Sequence, residues 1–337
     1  METFARIARR FRTFSVTALL AGAMPAALAL DDPQVEEFVQ EMSAEHGFDV
    51  EWLSQIFADA EEKQKILDAI SRPAERTKPW HEYRKIFITP KRIDAGVAFW
   101  HENRALLDRV ARDSGVPAST IVAILGVETF YGRITGGFRV IDSLSTLAFR
   151  FPPRSRFFRS ELEHFLLLTR EAAVDPLTAT GSYAGAMGAP QFIPSSFRAY
   201  AVDANNDGKI DLWTDWEDVF ASVANYFVRH GWKSGEPVVV AAQADGFGVA
   251  PGDNELRLTD TVTTLRDRGL TFTTTLDSEA RTMPIVLEGE DGPEHWVGFN
   301  NFYVITRYNR SSMYALAVFQ LGEAVAAKYY TEQSVAP

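Results

Sequence analysis

The chain of 337 residues has no cysteine. A disulfide framework, a thiol nucleophile and a lipid-accepting cysteine are therefore all excluded. Its six histidines, His46, His81, His101, His164, His230 and His295, form neither an HExxH pair nor a close cluster, which speaks against a zinc enzyme. No glycine loop of the phosphate-cradling kind opens a helix, and no GxSxG elbow occurs, so P-loop and α/β-hydrolase chemistries lack their signatures. Positive charge is in deficit. With 34 basic against 45 acidic side chains the net charge is -11, a poor basis for binding nucleic acid. Long apolar runs are missing too: the main one, Val16 to Ala29, is broken by Gly22 and Pro25 and falls short of the ~20 residues that a membrane-spanning helix needs.

That run reads instead as the core of an export signal. Arg6, Arg9, Arg10 and Arg12 precede it, and Ala27-Leu28-Ala29 closes it ahead of Asp31-Asp32, the layout of a cleavable signal peptide over residues 1–29. The arginine pair is compatible with a twin-arginine route as well as a general secretory one. Cleavage removes four arginines and one glutamate, which takes the net charge from -11 to -14 and leaves no transmembrane anchor. The processed chain is expected to be soluble. A polyanionic partner would then be recognised by hydrogen bonds and stacking more than by bulk charge.

An apolar share of 46%, with 12% aromatic residues, predicts a packed core and argues against disorder. From Pro33 to about residue 230 the apolar positions, such as Val35, Phe38, Val39 and Met42, recur at helical spacing. Thr89-Pro90 offers a cap and first-turn proline for a helix through Trp100 that Gly115 closes. A second, buried helix follows from Pro117 through Glu128. Between 236 and 298 the texture changes to short β-prone runs, Val238–Val240, Leu256–Leu258, Thr271–Thr275 and Met283–Leu287, separated by Gly, Pro, Asp and Asn. Helical spacing returns from about Ser312 to Ala327. The expected fold is α+β and mainly helical: a helical part over 30–235, an inserted small β subdomain over 236–298, and a return to the core over 299–337.

Glu128 lies three, four and seven residues after Leu125, Ile124 and Ile121, on the face of an apolar stripe. A carboxylate lodged among apolar groups has its charged form disfavoured, the condition for a general acid. The plainer alternative is a helix-end glutamate reaching solvent or pairing with an arginine such as Arg133. The segment Gly181-Ser182-Tyr183-Ala184-Gly185-Ala186-Met187-Gly188-Ala189-Pro190-Gln191-Phe192 is too rich in small residues for a helix interior. It suits either a groove floor contacted by an extended sugar polymer, with Ser182 and Gln191 offering polar atoms, or a tight turn packed on the core.

Together these elements resemble the lytic murein transglycosylases, specifically the membrane-bound B type. The matching strings are ILGVETFYGRITG around Glu128, DPLTATGSYAGAMGAPQFIPSSF at 175–197, VANYFVRHGW at 223–232 and NFYVITRYNRSSMYALAVFQLG at 301–322. They stand in family order from about residue 33 to 325. The resemblance implies a lysozyme-like helical core with additional helical and β parts, and Glu128 as the only catalytic acid. It implies cleavage of the β-1,4 bond between N-acetylmuramic acid and N-acetylglucosamine without water, leaving a 1,6-anhydro sugar. No cofactor is required. Ser182, Gln191, Tyr83, Tyr308, Asn309 and Tyr314 match family positions that contact the glycan. Of the usual arginine pair after an aromatic-proline, only Arg154 of Phe151-Pro152-Pro153-Arg154 remains. Peptidoglycan strands in the periplasm are the implied partner, and wall-synthesis proteins the implied company, although no docking segment is readable.

Asp203, Asn205, Asp207, Gly208, Lys209 and Asp211 keep the spacing of a calcium-binding EF-hand loop through its ninth position. Position twelve is Thr214, and the acid comes one residue late at Asp215. The loop therefore reads either as a structural calcium or sodium site or as a metal-free, Asx-rich turn. Two rival functions complete the expectations. One is a lysozyme-type hydrolase with Asp142 or Glu163 as a second carboxylate; the other is a catalytically silent wall-binding protein.

Overall fold

The computed structural model describes residues 32–71 and 78–335; the export signal lies outside them. Its helices start where side chains can take up orphan N–H groups. Asp32 caps α1 (Pro33–His46) through the N–H of Gln34, and Asp49 caps α2 (Val50–Asp59) through that of Trp52. After α3 (Gln64–Ile70) and α4 (Trp80–Phe87), Thr89 caps α5 (Pro90–Glu102). The helical stretch expected to run up to Gly115 is broken at Asn103, whose side-chain amide turns back onto the Phe99 carbonyl at 2.9 Å. A separate α6 (Arg104–Ser114) carries the chain on to Gly115.

Next comes α7 (Ala118–Thr129), in which every residue from Ile121 to Val127 is buried. A helix that is apolar all round belongs at the centre of a core, and α7 packs against α5, α6 and the last helix, α14 (Ser312–Val335). The pair α8 (Val140–Arg150) and α9 (Ser155–Glu171), followed by α10 (Pro194–Tyr200) and α11 (Trp216–Arg229), completes the helical body. A two-stranded ribbon, β1 (Phe138–Arg139) with β2 (Thr180–Gly181), ties the chain just after α7 to the small-residue segment.

The second sheet holds β3 (Val239–Ala244), β4 (Asp260–Thr261), β5 (Leu270–Thr271), β6 (Arg281–Glu288) and β7 (Pro293–Gly298), in the order β4-β6-β7-β3-β5 with antiparallel pairing. Three details depart from expectation, the first being that only Thr271 of the run Thr271–Thr275 lies in a strand. Leu256–Leu258 forms no strand, whereas β7 does, beginning at Pro293 where a missing N–H is tolerated. A short α12 (Val262–Asp267), with a Thr261/Thr264 capping box, lies between β4 and β5. Met283, Ile285 and Leu287 of β6 join the main core, while Val297 gathers a smaller cluster with Val262, Leu265, Leu270, Phe272 and Phe299.

This sheet also grips α4. Trp80 donates its indole N–H to Glu294 at 3.1 Å, Arg84 pairs with the same carboxylate at 3.8 Å, and Lys85 reaches Glu290 at 3.4 Å. The chain then returns through α13 (Asn300–Tyr308) to α14. The architecture is thus mainly helical with a small sheet, as expected. Among the described residues no single helix is long and apolar enough to cross a membrane.

Candidate functional site

Glu128 lies half-buried at the C-terminal end of α7, one residue before its last. The hydroxyl of Tyr314, from the first turn of α14, donates to its Oε1 at 2.5 Å. Tyr314 is only 2% exposed. Burial first, then the charge of Glu128 and the neighbouring Tyr308, hold the Tyr314 hydroxyl well above the usual tyrosine range, so it stays a neutral donor.

Tyr308, at the end of α13, donates to the Pro190 carbonyl at 2.6 Å and packs among the rings of Tyr226, Phe192 and Phe227. Burial and then the Glu128 charge raise its pKa as well. Asn309 follows it, half-buried, as the C-cap of α13. Tyr83 on α4 perturbs the titration of Tyr314 and so stands near it. It is 1% exposed and packed on Trp80 and Phe87. Its ring therefore belongs to the wall behind the site and presents no open stacking face.

The chain beyond Glu128 turns sharply. Phe130, Tyr131 and Gly132 have φ of 52°, 61° and 78°, and a non-glycine residue in this region costs on the order of 1 kcal/mol. Surrounding bonds hold the turn in place. The Thr129 hydroxyl donates to the Ala189 carbonyl and accepts the Gly132 N–H, each at 2.9 Å. Tyr131 donates to the Arg92 carbonyl at 2.8 Å. Its ring fills space left by two glycines: a Cβ at Gly126 would lie 2.8 Å from the ring, and one at Gly96 would lie 2.4 Å from the hydroxyl.

The small-residue segment is a tight turn packed on the protein itself. A Cβ at Gly181 would meet the Ala186 carbonyl at 2.3 Å, one at Gly185 the Leu144 side chain at 2.5 Å, and one at Gly188 the Leu212 carbonyl at 2.3 Å. Gly188 also has φ of 67°. The glycines thus answer to the backbone, yet the turn they permit passes directly beside the acid through Ala189, Pro190 and Gln191. Gln191, itself left-handed with φ of 53°, donates both amide hydrogens, to Thr135 at 3.0 Å and Gly188 at 2.9 Å. Its side-chain carbonyl is the group it can offer. Ser182 accepts the N–H groups of Ala184 and Ala186 and keeps its own O–H to donate.

Glu128, Tyr314, Tyr308 and the 188–191 turn are therefore joined by hydrogen bonds or by charge. Arg154 is not joined to them. It is exposed on a 3₁₀ turn at Pro152–Arg154, with its guanidinium 4.3 Å from the Phe157 ring and 5.1 Å from that of Phe158. The two acids considered as second carboxylates are engaged elsewhere. Asp142, 1% exposed, takes a bidentate contact from Arg139 and the N–H of Glu61. Glu163 pairs with His46 at 3.0 Å.

Loop 203–215 closes on itself. Asp203 accepts from Asp207 and Gly208, Asn205 from Asp207, Asp207 from Lys209, and Asp211 from Trp213 and Thr214. Asp215, one residue beyond the calcium-loop position, instead caps α11 and takes the Asn205 amide N–H at 2.7 Å. A donor therefore faces a carboxylate where a cation would need an acceptor. Among the described residues no three His, Asp or Glu side chains converge as a metal site. Sequence reasoning missed Asp218, which is buried and holds the loop through the N–H groups of Ala204 and Asp211. Burial, then the charges of Asp215 and Asp203, raise its pKa. An acid in a first helical turn reads only as dipole compensation, so no signal marked it. Thr129 was missed for a similar reason, since its partner lies in a distant turn.

A family model described as a transglycosylase SLT domain matches residues 31–323. The chain is similar to membrane-bound lytic murein transglycosylase B of Escherichia coli strain K12, 42% identical over 306 residues, which is 88% of this chain and 83% of that one. Its fold is similar to that of the soluble lytic transglycosylase SltB1 from Pseudomonas aeruginosa, with a TM-score of 0.83 and 54% identity over 88% of this chain and 99% of that one. The Escherichia coli lytic transglycosylase Slt35, solved in complex with calcium, gives 0.82 and 41% over 89% and 95%. SltB3 from Pseudomonas aeruginosa, in complex with NAG-anhNAM-pentapeptide, gives 0.77 and 30% over 87% and 78%.

Proposed function

We propose, on the premise that this chain belongs to the lytic murein transglycosylases, lyases acting on peptidoglycan, that Glu128 is the one carboxylate that performs its reaction. In the first stroke the protonated Glu128 gives its proton to the glycosidic oxygen between N-acetylmuramic acid and N-acetylglucosamine, and the C1–O bond breaks. The substrate's own N-acetyl group stabilises the cation, which is why a second enzyme carboxylate is not needed. In the second stroke the Glu128 carboxylate takes the proton of the muramic C6 hydroxyl, whose oxygen closes onto C1. The product is a 1,6-anhydro sugar, no water is consumed, and the acid is regenerated.

The observation that carries this reading is the hydrogen bond from Tyr314 to Glu128. A buried neutral phenol fixes the carboxyl group and supports its charged form for the second stroke. The engagement of Asp142 with Arg139 and of Glu163 with His46 weighs against a hydrolase. Ser182 and Gln191 offer one hydroxyl donor and one carbonyl acceptor, a pair that suits acetamido groups. Asn309 and Tyr308 border the same turn and Tyr83 backs the wall, while for Arg154 the resemblance alone suggests a stem-peptide carboxylate. SltB3 supplies the chemical precedent, since it was solved with an anhydro-muramic ligand. Slt35 was solved with calcium, but no step here runs through a metal. Residues 1–29 direct the chain to the periplasm, where its glycan partner lies.

Mass spectrometry of products released from purified sacculi by residues 30–337 tests the reading. Products one water lighter than reducing muropeptides are expected, with none from Glu128→Gln. Reducing ends would establish a hydrolase, and cleavage by the variant would move the acid elsewhere.

A further inference from the structure

Away from Glu128, two cavities meet at Val174. One, of about 480 Å³, is lined by Thr178, Thr180, Lys209 and Trp213; the other, of about 330 Å³, by Phe48, Trp52 and Arg170. Val174 is the one residue common to both, so the two lie side by side along one trough, and each is lined by a half-buried tryptophan. Trp52 is stacked on Phe48 at 5.6 Å and 13°, and Arg170 covers the Phe48 ring at 4.0 Å. Trp213 is pinned by its indole N–H to the Thr180 carbonyl at 2.9 Å.

The wall of the first cavity is tied to the reaction site through the backbone. Thr180 belongs to β2, which leads directly into Ser182, and Leu212, beside Trp213, accepts the Ala189 N–H at 2.8 Å. That wall and the turn beside Glu128 thus share one hydrogen-bonded backbone. Rigid indole faces suit pyranose rings. The charges inside are mixed, Lys209 and Arg170 against Asp49, Asp175 and Asp211, so neither cavity presents a field of one sign. That favours a neutral ligand over a charged peptide.

We propose that this trough is an auxiliary site for an uncut stretch of glycan strand, holding the polymer while another part of it occupies the groove at Glu128. The inference rests on the transglycosylase reading above for its choice of polymer. The test uses pelleting with purified sacculi in the full-length Glu128→Gln background, so that binding is read apart from product chemistry. Thr178→Trp fills the first cavity from an exposed position, and Trp52→Ala removes a wall of the second. Each is expected to weaken sacculus binding about tenfold, or ~1.4 kcal/mol; Thr178→Trp should melt near the parent, whereas Trp52→Ala, which also loses its stacking on Phe48, should melt earlier and is compared at a temperature where both are folded. In the otherwise wild-type chain, each should cleave a short tetrasaccharide at the parent rate while solubilising sacculi more slowly. The same loss is expected on glycan stripped of stem peptides by an amidase. Unchanged binding by both variants, or loss confined to peptide-bearing sacculi, would overturn the proposal. Failure of the wild-type chain to make anhydro products would sink the catalytic reading but leave the binding result to stand.

Discussion

At the scale of single residues, the site turns on a phenol that donates to a carboxyl group. Tyr314→Phe keeps the ring and deletes the donor. A hydrogen bond to a charged group contributes about 1.5–3 kcal/mol, so kcat on sacculi should fall roughly ten- to hundredfold while circular dichroism stays unchanged. The sign of the Tyr314 shift matters too. A raised pKa means that the hydroxyl remains protonated, and the bond intact, beyond the ordinary tyrosine range near pH ~10. Any alkaline loss of activity below that pH should therefore appear alike in the parent and in Tyr314→Phe. Asp142→Asn separates structure from chemistry. Breaking its buried pairing with Arg139 should destabilise the fold by about 3 kcal/mol in urea unfolding, yet the products should still be anhydro sugars. Reducing ends lost specifically in that variant would restore Asp142 as a catalytic group. Glu128 stood out in the sequence because a charge on an apolar stripe is anomalous. Tyr83 and Tyr314 did not declare their burial, because a tyrosine in a motif looks the same whether it faces a sugar or a wall.

At the scale of elements, the turn through Gly188 connects the site to the rest of the molecule. Gly188→Ala puts a Cβ against the Leu212 carbonyl in a left-handed conformation. Destabilisation of about 3 kcal/mol is expected, and activity should fall further than stability alone explains, because the Gly188 carbonyl also holds Gln191. Equal loss of activity and of folded protein would count against that link. The glycine-rich string left two readings open, a groove floor and a packed turn. The distances place its glycines in a packed turn that runs beside the acid, a combination visible only once Leu144 and Leu212 are brought against it. Loop 203–215 shows the same limit. Its spacing follows a metal-binding loop through the ninth position, and the single extra residue before Asp215 lets that acid serve as a helix cap. The break at Asn103 was equally hidden, since asparagine is unremarkable in a helix until its side chain competes for a carbonyl.

At the scale of the whole molecule, the small sheet does more than decorate a helical core. Glu294 on β7 holds Trp80 and Arg84 of α4 and receives the Trp296 indole N–H at 3.3 Å. Since α4 carries Tyr83 into the wall behind Tyr314, Glu294→Ala should cost about 1–2 kcal/mol of stability and also lower kcat on sacculi. A variant that melts earlier but turns over at the parent rate at low temperature would detach the sheet from the site. The mainly helical class and the family were legible from periodicity and from four ordered strings. The grip of the sheet on α4 was not, because ion pairs between residues so far apart leave no local pattern. The same interlocking bears on how such a chain can change over generations. Tyr131 occupies room vacated by two glycines on different helices, with Leu321 and Val325 of α14 close behind. While the tyrosine stands, neither glycine can become alanine in one step without a collision. If the tyrosine shrinks first, the void rewards whichever neighbour fills it, and the return path is then closed. Drift through this spot is ordered and works as a ratchet, so distant descendants should differ here by whole sets of residues rather than by isolated exchanges.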